Sequence, residues 1–557
     1  MFSHPDDRHT PLAIHARIGR LTTERHWGMT VSFFRRSAFL AGALAAAVVL
    51  AGCTTGGDAG SSADEEVVFT YSGLPTAWDP VSNSNGIGSL AVIRSVYEGL
   101  VDQVPGTYDV EAALAEDWTV SDDGLVYTFT LREGVEFTDG TAFDADAVVY
   151  NFDRIEALGG QVAGILSNVS DVEALDESTV TITLEQPQLQ FLEALSFAVF
   201  ASPTAAQENE VDGDWGSAWL AQNSAGTGPY LVGDKVEGQS LELERNEDYW
   251  GGWEEGQIDT VRFVTTPDAT TVVQQLLRGE VDHVSGIMYP MVDYLDQLEE
   301  SDEVTVYRAE GTQIDEIQMN TQSGPLSNKL VRQAIQLAYD YEAALQAAYK
   351  GEGAVPSGGL PAGYPGFDDS LEPFEQDLER AKELLAESGE QIDKLTLYYY
   401  EPLAFEKAES LVLQDSLAEL GIELEVIATT WDQMVEAQSS PETAPDFNNL
   451  WHGPITADPA EYLGSYFHSK YIGGYNWSFF DNAEFDALID QAQYAADVET
   501  RDAALAEAQA ILIDEAPAIF AAVPDRVEVV SSRFTGYEVH PVDYGGDVFF
   551  YDLRVAE

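Results

Sequence analysis

Few residues of this chain belong to the types that perform covalent or metal chemistry. Cys53 is the only cysteine, which excludes an internal disulfide, a cysteine-rich zinc site and a C-x-x-C redox pair. Four histidines follow it, and no two of them have the i, i+3 or i, i+4 spacing that places two metal ligands on one helix face. These are His283, His452, His468 and His540. We therefore expect no dedicated metal site and no cofactor.

Carboxylates, in contrast, are abundant, with 97 Asp and Glu against 26 Lys and Arg. Because the chain has so many acids, some of them will lie close together by chance. A pair of carboxylates by itself therefore does not indicate a glycosidase. The sequence contains no G-x-S-x-G elbow, no P-loop and no H-E-x-x-H motif. We expect that the chain is not an enzyme, and a glycosidase with two carboxylates in a cleft is the remote alternative.

The formal net charge of −71 constrains the partners of this chain. Such a surface repels nucleic acid and anionic lipid headgroups, and it favours neutral or cationic ligands weakly, because salt screens exposed charges. The acid-rich composition fits both a salt-adapted protein and an ordinary acidic extracellular protein, and this choice stays open. With 557 residues, 45% of them hydrophobic, the chain is long enough for two or three cores.

The beginning of the chain has the features of a secretory signal. Arg35 and Arg36 precede an apolar run at 38–51, AFLAGALAAAVVLA. This run is shorter than the about 20 residues that span a bilayer, as expected for a signal peptide rather than a membrane anchor. It ends in LAGC, which is similar to the bacterial lipobox, whose cysteine is diacylated and becomes the mature N-terminus.

These features divide the start of the chain into two segments. We expect 1–52 to be a signal peptide, with Met29 as an alternative translation start. Cys53 would then carry the lipid anchor. Residues 53–63 are rich in Gly, Ser and Thr and would form a flexible tether to the membrane.

Alternating apolar residues predict strands in the first half of the mature chain. Leu125, Tyr127, Phe129 and Leu131 line one face of a strand, and the turn residues DDG at 122–124 predict a hairpin with the strand before them. This half reads as mixed α+β.

The second half has a different pattern. A strand at 395–400, a helix at 405–420 and a strand at 422–428 predict a βαβ unit with parallel strands. A further helix is predicted from Asn328, a good N-cap, to Tyr349. The chain as a whole is therefore expected to be α/β with two lobes.

Several motifs resemble one known family in both type and order. Residues 113–124 and 127–135 resemble the signature of family 5 extracellular solute-binding proteins, which are the dipeptide-, oligopeptide- and nickel-binding components of ABC importers. Further matches follow in family order at 226–230 (GTGPY), 279–282 (GEVD) and 331–335 (VRQAI). The resemblance covers nearly all of the mature chain.

The resemblance implies a two-lobed clamp of the type II periplasmic-binding-protein kind, with an extra α+β subdomain in lobe one. Lobe one would be 64–313 plus 526–557, with the inserted subdomain near 96–223, and lobe two would be 314–525. Two crossings between the lobes would form a hinge, and the ligand would be enclosed between the lobes.

The resemblance also implies a function and partners. The chain would be a lipid-anchored substrate-binding protein on the extracytoplasmic face of the cell membrane. It would capture peptides or a related small solute and deliver them to ABC permease subunits, and we expect it to be a monomer that does not bind nucleic acid. The alternatives are a non-peptide solute, such as an oligosaccharide or a nickel chelate, and presentation of the ligand to a sensor.

Candidate ligand contacts follow from the same resemblance. Trp431 and Trp451 match tryptophans of the family's cleft, where aromatic walls offer contact area at little cost in entropy. Pro454 stands where peptide-binding members have an Asp that pairs with the ligand's α-ammonium group. Either Asp458 replaces that Asp or the ligand lacks a free amine. Two further segments supply candidate contacts, namely Ser84, Asn85, Tyr475, Asn476 and Trp477.

Overall fold

The chain folds around three larger β-sheets that are covered by helices. The computed structural model describes residues 65–71, 73–83, 88–266, 268–284, 291–454, 456–540 and 548–556, all of which belong to the unit Gly60–Glu557. Cys53, the tether 53–63 and the predicted contacts Ser84 and Asn85 lie outside these described residues. Among the described residues, no helix combines the length and the apolar character needed to cross a bilayer.

Strands and helices alternate along the chain. The strands are β1 (Glu66–Tyr71), β2 (Val101–Gln103), β3 (Val110–Ala112), β4 (Ala115–Val120), β5 (Val126–Leu131), β6 (Val169–Asp176), β7 (Thr179–Leu184), β8 (Tyr230–Val236), β9 (Ser240–Arg245), β10 (Thr260–Thr265), β11 (His283–Val284), β12 (Val304–Ala309), β13 (Ile314–Met319), β14 (Gly353–Ala354), β15 (Lys394–Tyr400), β16 (Glu423–Thr429), β17 (Phe447–His452), β18 (Ala518–Pro524), β19 (Arg526–Ser531), β20 (Phe534–Thr535) and β21 (Arg554–Val555). The helices are α1 (Ser89–Val96), α2 (Ala145–Leu158), α3 (Gln161–Ile165), α4 (Phe191–Leu195), α5 (Pro203–Glu208), α6 (Ser217–Leu220), α7 (Ala269–Leu276), α8 (Leu295–Glu299), α9 (Lys329–Ala338), α10 (Tyr341–Tyr349), α11 (Leu378–Ser388), α12 (Ala404–Glu419), α13 (Trp431–Ala437), α14 (Pro459–Phe467), α15 (Ala483–Gln493) and α16 (Val498–Glu515).

The seven-stranded sheet joins the start of the described chain to its end. Its strand order is β12-β19-β11-β1-β10-β9-β8, and β1 is parallel to both β10 and β11. Val67 and Phe69 point into a core that includes Phe263 and Phe550, while Val68 is buried in a second core on the other face. Both faces of this sheet are therefore covered.

The four-stranded sheet, β4-β5-β7-β6, forms a separate antiparallel layer with its own core. Strands β4 and β5 form the predicted hairpin, so this sequence prediction is confirmed. Its turn is held by Asp123, which accepts a hydrogen bond of 2.6 Å from the hydroxyl of Ser121, and by Gly124 at φ 71°. Tyr127, Phe129 and Leu131 face inward, as their alternation predicts.

The six-stranded sheet, β14-β18-β13-β17-β15-β16, contains the predicted βαβ unit. Strands β15 and β16 are parallel along their whole length, and α12 crosses between them, so this prediction is confirmed. Strand β17 is also parallel to β15, which places the carboxyl ends of β15, β16 and β17 at one edge of the sheet.

The prediction of one helix from Asn328 to Tyr349 is wrong in one respect, because the helix is broken. Asn328 caps α9 as expected, but α9 ends at Ala338, and Tyr339 adopts an extended backbone with ψ 134°. The carboxylate of Asp340 then accepts a hydrogen bond of 3.0 Å from the Ala343 amide and begins α10. A side-chain cap thus starts a new helix where the apolar spacing alone predicts continuity.

The chain passes between the seven-stranded and six-stranded sheets at two places. Residues 310–313 connect β12 to β13, and Asp525 connects β18 to β19. The two connections touch: a Cβ added at Gly311 would lie far inside van der Waals contact with the carbonyl oxygen of Pro524. The absence of a side chain at Gly311 is therefore what lets the two backbones run side by side.

Candidate functional site

The predicted tryptophans lie at the edge of the six-stranded sheet where its parallel strands end. Tyr400 ends β15, Trp431 comes two residues after the last residue of β16, and Trp451 lies next to the last residue of β17. Ligands of open α/β sheets bind in the crevice outside the carboxyl ends of the strands. The βαβ topology therefore places all three aromatic residues where such a crevice forms.

Trp431 is the first residue of α13, and its position is fixed from two directions. The helix begins with a reciprocal capping box between Thr430 and Gln433. The indole packs on Trp477 with ring centroids 5.3 Å apart and on Tyr400 at 6.2 Å. Even so, 41% of Trp431 is exposed. The structure thus brings Trp431 and Trp477 together and leaves part of Trp431 available for contact.

A cavity of about 340 Å³ opens beside this indole. We call it the Trp431 cavity, and its lining residues are Tyr400, Glu401, Pro402, Thr429, Thr430, Trp431 and Asp432. Another concavity, of about 600 Å³, lies between α15 and α16 at Gln491, Asp497, Glu499, Thr500 and Ala503, and none of the predicted contacts lines it.

The segment 475–477 has three residues with three different roles. Trp477 is buried against Met434 and Leu450, and its ring nitrogen donates to the carbonyl of Gly474 at 2.5 Å. Asn476 is fully buried. Its amide donates to the carbonyls of Phe467, His468 and Phe480, so it holds the loop together.

Tyr475 is the exposed member of that segment. Its exposed fraction is 47%, and its ring lies 5.8 Å from that of Tyr466. Tyr466 stacks in turn on the buried His452 at 3.8 Å. Tyr475 therefore stands at the outer end of an aromatic column that begins inside the sheet.

Trp451 is half-buried and lies opposite Asp315 of β13 in the ladder. The Asp315 carboxyl accepts hydrogen bonds from the hydroxyl of Tyr349 and, at 2.7 Å, from the amide of Gln313. Burial raises the pKa of Asp315, and it also raises the pKa of the neighbouring Glu409. Trp451 is therefore paired across the ladder with a buried carboxyl whose pKa is raised.

Asp458 is buried at the N-terminus of α14. Its carboxylate accepts hydrogen bonds from the amides of Ala460 at 2.9 Å and Glu461 at 3.3 Å, so it caps the helix. Burial raises the pKa of Asp458 to about 6, against the opposing effect of these two amides. The predicted ligand anchor thus has a structural role in this conformation.

Sequence reasoning did not identify Glu193, a buried acid from another part of the fold whose pKa is affected by the charge of Asp458. Glu193 lies in α4, which packs with the four-stranded sheet, and it accepts a hydrogen bond of 3.3 Å from the amide of Gln103. Burial raises its pKa to about 8, and the charges of Asp458 and Glu461 act in the same direction. The signal in the sequence is an acid within the apolar run FLEAL at 191–195.

Two further residues missed by the sequence analysis are Tyr400 and Glu401, which line the Trp431 cavity. An aromatic contact also joins the two halves of the fold, because Tyr108 meets Tyr364 edge-to-face at 5.7 Å. This contact shows that the subdomain of the four-stranded sheet touches the half that contains the six-stranded sheet.

The histidines near the site have acidic neighbours. His452 Nδ1 lies 3.3 Å from a carboxylate oxygen of Glu316, and His468 lies between Asp486 and Asp490 at 3.3 and 3.4 Å. Within the described ranges, no three His, Cys, Asp or Glu residues are grouped as a metal ion requires.

Comparisons with known proteins agree with this architecture. The family model described as bacterial extracellular solute-binding proteins, family 5 Middle, matches residues 109–474. Heme-binding protein A of Haemophilus influenzae is 30% identical over 541 residues, covering 91% of this chain and 97% of that protein. The dipeptide-binding protein of Escherichia coli K12 is 28% identical over 505 residues, covering 86% and 92%.

Solved structures confirm the expected fold class, a two-lobed α/β fold of the type II periplasmic-binding-protein kind. The binding protein DppA of Helicobacter pylori, in complex with the peptide STSA, is 27% identical and superposes with a TM-score of 0.75 over 88% of this chain and 98% of that one. A dipeptide-binding protein of Pseudoalteromonas sp. SM9913 in complex with Met-Leu is 25% identical, with the same TM-score over 88% and 100%. The chain therefore belongs to the family 5 bacterial extracellular solute-binding proteins.

Proposed function

We propose that this chain is the extracytoplasmic substrate-binding protein of an ABC importer and that it captures short peptides between its two lobes. The observation that carries the proposal is the family match. It is supported by a relative and a solved structure whose names refer to peptide binding and which this chain matches over nearly their whole length. Binding rather than catalysis is part of the proposal, so captured peptides should be recovered intact.

The lobe boundaries proposed are 64–313 plus 526–557 for lobe one, with a subdomain near 96–223, and 314–525 for lobe two. The distribution of strands supports this division. The seven-stranded sheet uses strands up to Ala309 and again from Arg526, whereas the six-stranded sheet uses strands from Ile314 to Pro524. The contact of Gly311 with Pro524 would then lie in the hinge.

The ligand contacts proposed are Trp431, Trp451 and Tyr475 in lobe two. Each has exposed or half-exposed aromatic surface near the carboxyl ends of the parallel strands. Trp477 and Asn476 support them, because one packs beneath Trp431 and the other holds the loop that presents Tyr475. Ser84 and Asn85 stay candidate contacts from lobe one.

Delivery requires a membrane location, and we propose that a lipid on Cys53 provides it. The support is the LAGC sequence after a short apolar run. A Cys53→Ala variant expressed in the native host should be released from membranes into the medium or periplasm. Membrane association unchanged by this substitution, measured by fractionation and immunoblotting, would contradict the anchor.

Thermal shift and intrinsic tryptophan fluorescence test the binding proposal. A ligand that binds only the folded state at one hundred times its Kd adds about 2.7 kcal/mol to the free energy of unfolding. We expect di- to octapeptides to raise the melting temperature and to change the emission of Trp431. Oligosaccharides, nickel chelates and amino acids serve as comparison ligands.

Heme is a second candidate ligand, because one relative at 30% identity is named Heme-binding protein A. The exposed faces of Trp431 and Tyr475 could contact a large flat ligand. The same thermal-shift assay includes heme, with its absorption spectrum as an independent readout. A shift with heme and none with any peptide would favour this candidate over peptide capture.

A further inference from the structure

The Trp431 cavity is small for a whole ligand. Its volume of about 340 Å³ is at the lower end of the range of about 300–1,000 Å³ that is typical of ligand pockets. It lies at the carboxyl ends of β15 and β16, between Tyr400, Thr429 and Trp431. A cavity of this size suits one side chain or one end group of a larger ligand.

The aromatic wall of this cavity is rigid. Trp431 is held between the capped start of α13 and the rings of Trp477 and Tyr400, so little motion is lost when a ligand contacts it. The exposed face of a tryptophan attracts a cation within about 6 Å of its ring centre. The cavity therefore offers a fixed indole surface to a positively charged group.

The other functional groups of the cavity are negative. Glu401 and Asp432 are both exposed, and neither carboxylate makes an ion pair or a side-chain hydrogen bond with another residue in the described ranges. None of the seven described lining residues carries a positive charge. An anion entering the cavity would thus meet two carboxylates with nothing on the lining to neutralise it.

The N-terminus of α13 would favour an anion, but its capping box already engages two of its backbone amides. The Thr430 hydroxyl accepts from the amide of Gln433, and the Gln433 side chain accepts from the amide of Thr430. Asp432, in the first turn, also offsets the partial positive charge of the helix end. The formal charge of the whole chain, −71, adds to the negative potential around the cavity.

We infer that the Trp431 cavity is a subsite for a positively charged side chain, that of Lys or Arg, within a captured peptide. This inference rests on the proposed function and specifies the ligand class for one part of the site. The indole would contact the cation through its face, and Glu401 and Asp432 would neutralise it from the rim. Cation recognition of this kind is weakened by salt, because both carboxylates are exposed.

Calorimetry with matched tripeptides tests the subsite. The probes are Lys-Ala-Ala, Ala-Lys-Ala and Ala-Ala-Lys, each with a twin in which uncharged norleucine replaces Lys. At low salt we expect at least one Lys peptide to bind about five- to tenfold more tightly than its twin, since a cation–π contact and two partly screened charges act together. The preference should shrink at high salt.

Three variants test whether the preference for Lys peptides depends on the residues that line the Trp431 cavity. Glu401→Gln/Asp432→Asn should remove most of the Lys preference while the norleucine peptides keep their affinity. Trp431→Leu should weaken the Lys peptides more than their twins. Glu436→Gln/Glu442→Gln removes the same charge from exposed positions on and after α13 that do not line the cavity, and it should leave the preference intact.

The possible outcomes distinguish failure of the proposed subsite from failure of the proposed peptide capture. Equal affinity for every Lys peptide and its twin, or a preference that survives Glu401→Gln/Asp432→Asn, overturns the subsite and leaves peptide capture standing. A preference abolished equally by the Glu436→Gln/Glu442→Gln control assigns the effect to overall charge and also overturns it. If neither these tripeptides nor the di- to octapeptides of the thermal-shift assay bind the unmodified protein, peptide capture itself fails.

Discussion

At the scale of residues, three acids lie together where two parts of the fold meet. Glu193 comes from the subdomain of the four-stranded sheet, while Asp458 and Glu461 begin α14. Burial raises the pKa values of these groups to about 8, 6 and 7, respectively. Near neutral pH this contact is therefore sensitive to whether Glu193 and Glu461 hold protons.

The pH dependence of stability should reveal this contact. Glu193 ordinarily titrates near 4.5, so above that pH the unfolded chain releases a proton that the folded chain holds up to about 8. The free energy of unfolding should therefore fall as the pH rises between these values, by up to about 1.4 kcal/mol per pH unit from this group. Glu193→Gln should flatten the decline of the melting temperature between pH 5 and 8.

Glu133→Gln is the control for this measurement, because Glu133 is an exposed acid of the same subdomain. It should leave the pH profile of the melting temperature unchanged. A profile for Glu193→Gln that is as steep as that of the unmodified protein would show that Glu193 does not hold its proton in the folded state.

Asp458 has a capping role that can be separated from a role in ligand binding. Asp458→Ala removes the cap of α14 and should lower the free energy of unfolding by about 1 kcal/mol, whereas Asp458→Asn keeps a capping oxygen and should cost less. Thermal or urea unfolding of both variants measures the difference. Equal losses for Ala and Asn would contradict the importance of the cap.

Asp458→Asn also tests whether Asp458 binds the free amine of a peptide ligand. If Asp458 pairs with the free α-ammonium group of a peptide, Asp458→Asn should weaken free-amine peptides by about tenfold and leave N-acetylated peptides unaffected. Unchanged affinity for free-amine peptides would leave Asp458 as a helix cap and nothing more.

At the scale of elements, the connections between the two sheets would form the hinge of the proposed two-lobed clamp. Their close approach depends on Gly311, whose missing side chain makes room for the carbonyl of Pro524. A hinge needs such backbone connections to change their dihedral angles without losing contact. Gly311 is therefore the position where a single methyl group should matter most for closure.

Gly311→Ala should lower the melting temperature by several degrees, because the added Cβ forces the backbones of 310–313 and Pro524 apart. It should also reduce the ligand-induced decrease in the radius of gyration, measured by small-angle scattering. Gly164→Ala is the matched control, since nothing lies within 4 Å of its added Cβ and its helix should accept alanine. If Gly311→Ala closes normally on ligand binding, the hinge lies elsewhere in the chain.

At the scale of the whole molecule, local and long-range features differ in how far the sequence predicts them. The βαβ unit and the hairpin at 122–124 follow from periodicity and turn residues, which are local signals. The break at Tyr339 depends on a cap by Asp340 that competes with a continuous apolar face, and spacing alone does not show which of them prevails.

The composition of the candidate site illustrates the same difference. The family resemblance predicts Trp431 and Trp451 as ligand contacts. Their relation to Tyr400 depends on the order in which β15, β16 and β17 assemble. The charge of Asp458 affects Glu193 only after the subdomain packs against the other half of the fold, and the spacing of residues in the sequence does not predict that packing. Long-range packing, rather than local propensity, completes the site.

The net charge also acts on the whole molecule. With a formal charge of −71, the folded chain repels itself, and salt should reduce that repulsion. We expect the melting temperature to rise between 0.05 and 1 M NaCl, with KCl giving the same result. A melting temperature that falls over this range would show that self-repulsion does not limit stability.

Titration calorimetry of the mature protein with defined peptides tests the central claim most directly. Any solute that copurifies is first removed by unfolding and refolding, and peptide integrity is checked by mass spectrometry afterwards. The account predicts saturable one-to-one binding of at least one class of di- to octapeptides, which are recovered uncleaved. Absence of binding by every peptide while another solute binds one-to-one, or cleavage of the peptide, would contradict it.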